Sequence, residues 1–309
     1  MKFHILIFAV FCSIILYSFC FANDESGGYA GSFLEWGAGA RAIALGKTFS
    51  AVANDGSAIY WDPAGLAQIK SRELSAMHAL IFEDRMQNFL SFVYPVNRFA
   101  LAAGWLRFGV NDIQERDNSG ELIGKFDDAE IVFMFGSGIS LLSMPTFKLK
   151  IGFTAKYFYH SLYNYHASGF GADIGALSCF HLKGFIKRIG VGFTVQNLGA
   201  KLKWNTESNH EDNIPIIFRV GAGVDLNLVP FKILLDLEKK ENQQMRIHAG
   251  AEYWISMLAL RAGLDHNNLT AGAGLVFKLP KIGLIIDYAY TNDDIANKGL
   301  HFFSLNFRF

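Results

Sequence analysis

Cysteine is almost missing from this chain. There are three in 309 residues, and two of them, Cys12 and Cys20, lie close to the start. Past that region only Cys179 remains, so no internal disulfide can staple the fold, and Cys179 reads as a small apolar residue in a strand. No sign of charge dominates either, with 28 Lys and Arg against 28 Asp and Glu. That balance argues against a nucleic-acid partner, which asks for a basic surface. Charge is scarce altogether, at 18% against 51% apolar residues; soluble domains carry about 25%. Yet no long apolar run follows the N-terminus. The longest uncharged stretch, 131–147, is broken by Gly136, Ser137, Gly138, Ser140, Ser143 and Pro145, whereas a spanning helix wants about 20 mostly apolar residues. Catalytic patterns are missing too. The histidines are scattered, with no His-Glu-x-x-His and no Gly-x-Ser-x-Gly, so neither an enzyme, a metal nor a cofactor is expected. An apolar chain without spanning helices has one way to sit in lipid. It must close a sheet on itself so that every backbone N–H and C=O is paired.

The start of the chain reads as an export signal. Lys2 precedes an uncharged apolar run over 3–21, and Ala22 precedes the polar run Asn23-Asp24-Glu25-Ser26. This places a signal peptide over 1–22, cleaved after Ala22. Phe19 ahead of Cys20 argues against a lipoprotein signal.

From residue 71 to 309 the pattern has period two. Lys148, Lys150, Gly152, Thr154 and Lys156 alternate with Leu149, Ile151, Phe153, Ala155 and Tyr157. Gly190, Gly192, Thr194 and Gln196 alternate in the same way with Ile189, Val191, Phe193 and Val195. Side chains in a strand alternate between faces, so each segment has one apolar face and one polar or small face. Fourteen segments follow this rule, near 71–81, 87–95, 98–108, 129–139, 147–159, 167–181, 187–197, 215–226, 231–239, 245–254, 258–265, 268–277, 281–290 and 300–309. The expected fold is all-β, an antiparallel transmembrane barrel of about 14 strands. A β-sandwich is the rival, but its strands are shorter and its outer faces polar. The second, eighth and tenth connections are short, while the long ones, 109–128 and 198–214, are the third and seventh. Short turns on one side and long loops on the other match outer-membrane barrels, and an even count puts both termini on the periplasmic side. Tyr94, Tyr157, Tyr159, Tyr253, Trp254, Tyr288 and Tyr290 lie near strand ends and read as aromatic girdles against outer-membrane lipid. The polar face predicts lumen charges at Glu130, Lys156, Asp173, Arg219, Asp225, Asp236, Arg246, Glu252, Arg261, Asp265 and Asp287. Charges in a confined lumen must find partners, so most are expected to neutralise one another. On the last strand Phe303, Leu305, Phe307 and Phe309 share one face. That pattern resembles the signal read by the bacterial barrel-assembly machinery.

Residues 23–70 do not alternate. They are rich in Gly and Ala, and short helices with turns are expected. Within them stand Gly37, Gly39, Arg41, Gly46 and Asp55, then Trp61-Asp62-Pro63-Ala64-Gly65. Asp62-Pro63 reads as a helix start, with Asp capping and Pro at the first position. A dinucleotide site fits poorly, because no strand precedes the glycines and no βαβ unit follows. This segment resembles the N-terminal signature of the PorV/PorQ-type branch of FadL-like outer-membrane proteins. The resemblance continues through Val195-Gln196-Asn197-Leu198-Gly199, Arg219-Val220-Gly221, Gly250-Ala251-Glu252-Tyr253-Trp254, Asp287-Tyr288-Ala289-Tyr290 and Phe307-Arg308-Phe309. It implies a fourteen-stranded barrel over 71–309 in the outer membrane of a diderm bacterium, with 23–70 as a lumenal hatch. Where the wider group has Asn-Pro-Ala, Asp62 stands in place of Asn, which puts in doubt any role for an amide donor there. The resemblance implies passage of a hydrophobic ligand. Its alternative is a partner in type IX protein secretion that binds exported proteins through 109–128 and 198–214.

Overall fold

A computed structural model describes residues 29–81, 84–293 and 298–309; the expected signal peptide lies outside them. Sixteen strands are present among the described residues: β1 (Glu73–Leu80), β2 (Met86–Val96), β3 (Phe99–Arg116), β4 (Leu122–Ser143), β5 (Phe147–Leu162), β6 (Tyr165–His181), β7 (Ile186–Leu198), β8 (Lys201–Trp204), β9 (Glu211–Asn213), β10 (Ile217–Leu226), β11 (Phe231–Lys240), β12 (Met245–Ile255), β13 (Leu258–Asp265), β14 (Asn268–Lys278), β15 (Gly283–Asp293) and β16 (Lys298–Arg308). All pairings are antiparallel. Fourteen strands make a closed barrel, because β7 pairs with β10 and β1 pairs with β16. The other two, β8 and β9, form a small hairpin folded back against β6. The fourteen barrel strands are the fourteen expected segments in the same order.

Closure sets which face each residue shows. On β7, Gly190, Gly192, Thr194 and Gln196 are buried, while Val191 and Phe193 are exposed. On β10, Arg219, Gly221 and Gly223 are buried, while Phe218 and Val220 are exposed. The polar and glycine face therefore lines the lumen, and the apolar face points out. Large apolar side chains stand bare around the wall, among them Leu101, Phe135, Phe153, Phe170, Leu235 and Phe277. A water-soluble monomer rarely exposes more than a few hundred Å² of continuous apolar surface. No described helix is long and apolar enough to cross a membrane; the strands carry the apolar face instead.

Glu73 stands opposite Arg308, so the barrel begins and ends on one rim. That rim also carries the short turns, such as Asn97-Arg98 and Ser256-Met257, in which Asn97 (φ 54°) and Ser256 (φ 56°) take left-handed backbone. The opposite rim differs from expectation in two places. Residues 109–128 are mostly strand. β3 pairs with β2 only as far as Gly109, and β4 pairs with β5 only from Asp128. Beyond those points 110–116 and 122–127 pair with each other as a two-stranded ribbon. The Asp117 carboxylate accepts the N–H groups of Ser119 and Glu121, both at 2.8 Å, and closes the ribbon's turn. Its alternation is lost because both faces meet water. Residues 198–214 likewise carry the β8–β9 hairpin, whose Leu202 is buried.

Candidate functional site

The protein's apolar core is the N-terminal segment, packed inside the barrel against inward strand residues such as Phe89, Leu106, Met134, Phe158, Leu234 and Phe302. Four short elements follow one another: a 3-10 turn Ser32–Trp36, a helix Ala40–Ala44, a helix Ala58–Trp61 and a 3-10 turn Pro63–Gln68. Ile43, Leu45, Phe49, Ile59 and Leu66 are fully buried there. Elements this short cannot hold themselves together in water; the wall encloses them. The inward glycines make room. A Cβ on Gly152 would overlap the Pro63–Ala64 peptide, one on Gly192 would overlap Ser50, and one on Gly250 would overlap Leu45 and Thr48. Backbone lies against backbone on three sides of the lumen, which is the close approach that glycine in a strand permits.

The glycine-rich sequence pattern of this segment mostly packs it against itself. Gly37 (φ 79°) lies under the Trp61 ring, where a Cβ would come within 2.7 Å. The Trp61 indole N–H donates to the Ala38 carbonyl at 2.6 Å. Gly65 lies on Ala53, and Gly39 (φ 85°) on Ser57. Gly46 (φ 65°) meets the β13 backbone at Leu264, which pins the end of the first helix to the wall. Asp55 accepts from Ser57 N–H at 3.0 Å. Asp62 and Pro63 start the second 3-10 turn as expected: Asp62 Oδ1 accepts the Ala64 N–H at 2.9 Å. The other oxygen, Oδ2, has no hydrogen-bond partner among the described residues.

Burial pushes the Asp62 carboxyl up to about 8, against the opposing pull of the Ala64 N–H. A carboxyl in an unfolded chain titrates near 3.9, so the folded state holds this proton more tightly. Its contribution to stability is therefore fully present below about pH 4 and is lost as pH rises towards about 8. Asp62→Asn removes the titration while keeping the cap. The expected result is equal stability at pH 4 and a more stable variant at pH 8, read from the thermal midpoint of the folded, heat-modifiable gel band. A variant no more stable than the native chain at pH 8 would show that Asp62 is ionised in the folded protein.

Ion pairs join this plug to one arc of the wall. Glu252, on β12 and fully buried, receives Arg41 of the plug (3.0 Å), Arg261 of β13 (2.8 Å) and Lys232 of β11 (3.2 Å). Arg261 also reaches Asp287 at 2.8 Å, and Arg41 reaches Asp55 at 3.3 Å. Asp225 closes this end with Arg188 at 2.9 Å. A second cluster lies towards the other rim. Lys47 of the plug pairs with Asp265 at 2.5 Å, His248 lies 3.0 Å from Asp265, and Arg219 pairs with Glu238. There the plug's Glu35 meets Lys240 and Arg246. Burial acts to raise the Glu35 carboxyl, but these two cations outweigh it and hold it below the usual carboxylate range. Asp236 takes no cation in the same way. One of its oxygens accepts Phe49 N–H (3.2 Å), Ser50 N–H (3.1 Å) and the Ser50 hydroxyl (2.6 Å). Lys156 and Asp173 pair apart from the rest at 2.7 Å.

All eleven expected lumen charges thus face inward, and ten of them join ion pairs or plug contacts. Glu130 faces inward without a hydrogen bond or ion pair among the described residues. Sequence reading left out Glu73, Arg188, Lys232, Glu238, Lys240, His248 and Arg308 from the wall, and Glu35 and Lys47 from the plug. Lys232, Glu238 and Lys240 share their strand face with Asp236, and His248 shares its face with Arg246 and Glu252, so alternation alone could have found these four. Phe303, Leu305 and Phe309 are exposed on the outer face, with Phe307 beside them half-buried. Trp254 is not a girdle residue. It shares the inward face of β12 with Glu252, lies beneath the Arg261 guanidinium (5.9 Å) and lines a cavity. Trp254 lies near the end of β12, and its inward face follows from parity with Glu252. This cavity, of about 570 Å³, lies between plug and wall at the short-turn rim.

Comparison with known proteins agrees with this architecture. Residues 28–115 match the model of UPF0164, described as an uncharacterised protein family. No curated protein matches the sequence. Among solved structures, the Pseudomonas putida toluene transporter TodX is 13% identical with a TM-score of 0.57, over 88% of this chain and 96% of that one. The CymD monoaromatic hydrocarbon channel is 13% identical with a TM-score of 0.59, over 88% and 98%. A Pseudomonas aeruginosa FadL homologue is 12% identical with a TM-score of 0.50, over 84% and 95%. These three are a toluene transporter, a monoaromatic hydrocarbon channel and a FadL homologue. At these identities what is shared is the fold.

Proposed function

We propose that this chain is a FadL-like outer-membrane barrel through which hydrophobic small molecules pass, with its N-terminal segment as the hatch. One observation carries the reading: a barrel whose outer wall is apolar and bare encloses a plug made of its own chain. The bare wall asks for lipid, and the plug makes the lumen a gated route rather than an open pore. The neighbours' transport of toluene and passage of monoaromatic hydrocarbons support the choice of cargo. The rim holding the short turns and both barrel ends faces the periplasm in this reading, and the aromatic C-terminal strand addresses the assembly machinery. The PorV/PorQ placement rests on the motif resemblance, and so does a partnership in type IX secretion. Of the two segments expected to dock cargo, most of 109–128 is paired ribbon.

The test is made in two steps. The protein should sediment with outer membranes and leave them only in detergent; recovery from a soluble periplasmic extract would overturn the reading. In proteoliposomes it should speed entry of toluene over protein-free vesicles without speeding entry of glucose. Equal rates for toluene with and without protein would remove passage.

A further inference from the structure

The cavity at the short-turn rim is of the size that holds a small ligand, since such sites run from about 300 to 1,000 Å³. Its walls have two characters. Trp254, Met257, Val276 and Ile285 form an apolar side. Facing them are the cations Arg41, Lys232, Arg261, Lys278 and Arg308, against the acids Asp55, Glu252 and Asp287. These charges are unevenly matched. Glu252 takes Arg41, Lys232 and Arg261 together, with Asp55 as a second acid for Arg41 and Asp287 for Arg261, so Lys232 is the least well paired of the three. Arg308 is held by Glu73 at 2.5 Å, and Asp225 lies 3.8 Å from Lys232 while pairing more closely with Arg188. Lys278, exposed at the rim, has neither an ion pair nor a hydrogen bond among the described residues. The opening of the cavity therefore presents a cation with no acid assigned to it among the described residues, and its floor holds Lys232, which shares Glu252 with two arginines.

We propose that this cavity is a binding site for a compact organic monoanion, whose charge meets Lys278 and Lys232 and whose apolar body lies against Trp254, Met257 and Ile285. A neutral hydrocarbon leaves Lys278 and Lys232 no better satisfied than water does, whereas an anion supplies the missing acceptor. The site touches the plug through Arg41, Asn54 and Asp55. An anion seated here competes with Glu252 for Arg41 and so weakens one of the pairs that hold the plug to the wall. That consequence rests on the passage reading; binding itself does not.

The test uses the full-length protein in nanodiscs of a zwitterionic lipid, with 2-naphthoate as probe and 2-methylnaphthalene as its neutral counterpart. Calorimetric titration should show naphthoate binding above that of empty nanodiscs. Lys278→Gln, at an exposed position, should weaken it about threefold to tenfold, the effect of one charge-assisted contact. Trp254→Ala should weaken it at least as much. Raising salt should weaken it further in the native chain than in Lys278→Gln. Naphthoate bound no better than to empty nanodiscs, or held equally by both variants, overturns the proposal; so does 2-methylnaphthalene binding as tightly as naphthoate and answering equally to Lys278→Gln. If toluene passage fails while naphthoate still binds through Lys278 and Trp254, the passage reading falls and the site stands.

Discussion

Replacing Glu252 by Gln should destabilise the protein by about 3–5 kcal/mol, the cost of breaking a buried charge network by removing its shared partner. The side chain is fully buried and accepts from Arg41, Lys232 and Arg261 at once. Gln keeps the shape and one acceptor oxygen but withdraws the charge. Asp287 and Asp55 remain for Arg261 and Arg41, while Lys232 keeps only Asp225 at 3.8 Å. Arg41→Gln should cost less, because Glu252 then still has two cations. Urea unfolding followed by the shift of the heat-modifiable band measures both. A loss under about 1 kcal/mol in Glu252→Gln, the level of an exposed pair, would mean that solvent reaches this network and that it does not hold the plug.

The second large effect is expected at Gly152. A side chain there has no space, because even a Cβ would overlap the Pro63–Ala64 peptide of the plug. Overpacking a core with flexible side chains costs about 1–3 kcal/mol; here the obstacle is backbone, and the plug as a whole must move. The wall is held by its own strand pairing, with Gly152 opposite Gly138 on one side and Gly175 on the other. Gly152→Leu should therefore leave the barrel assembled and displace the plug. Planar-bilayer recordings should show conductance to small ions that the native chain lacks, and amides over 58–67 should lose protection from hydrogen exchange. Ala155→Leu on the same strand points outward, where Ala155 is exposed, and should change neither. A Gly152→Leu protein that stays closed with its plug amides protected would show that the plug tolerates movement away from this wall.

Both predictions lie where strand parity and the third dimension meet. Parity was legible in the sequence. A strand has only two faces, so the alternation of Gly190, Gly192, Thr194 and Gln196 with Val191 and Phe193 was enough to find β7 and to say which residues share a side. Fourteen such segments with an apolar face and no spanning helix left few folds open. The same logic places Arg219, Asp236, Glu252 and Asp287 in the lumen, and parity with Asp236 puts Lys232 and Glu238 beside them. It failed for 110–116 and 122–127, because a ribbon wetted on both faces has no reason to alternate.

What the sequence determined by itself, then, was the barrel: periodicity is a local property, and each strand announces its own inner and outer face. Which residue meets which was decided only by tertiary structure. That Glu252 serves Arg41, which is 211 positions away, or that Gly152 makes room for Pro63, depends on the register of closure and on how the plug is turned inside it. Neither leaves a trace in local patterning. A glycine that admits a backbone looks the same in sequence as one that merely fits a strand, and a buried carboxylate looks the same whether it pairs with three cations or, like Asp62, with none among the described residues.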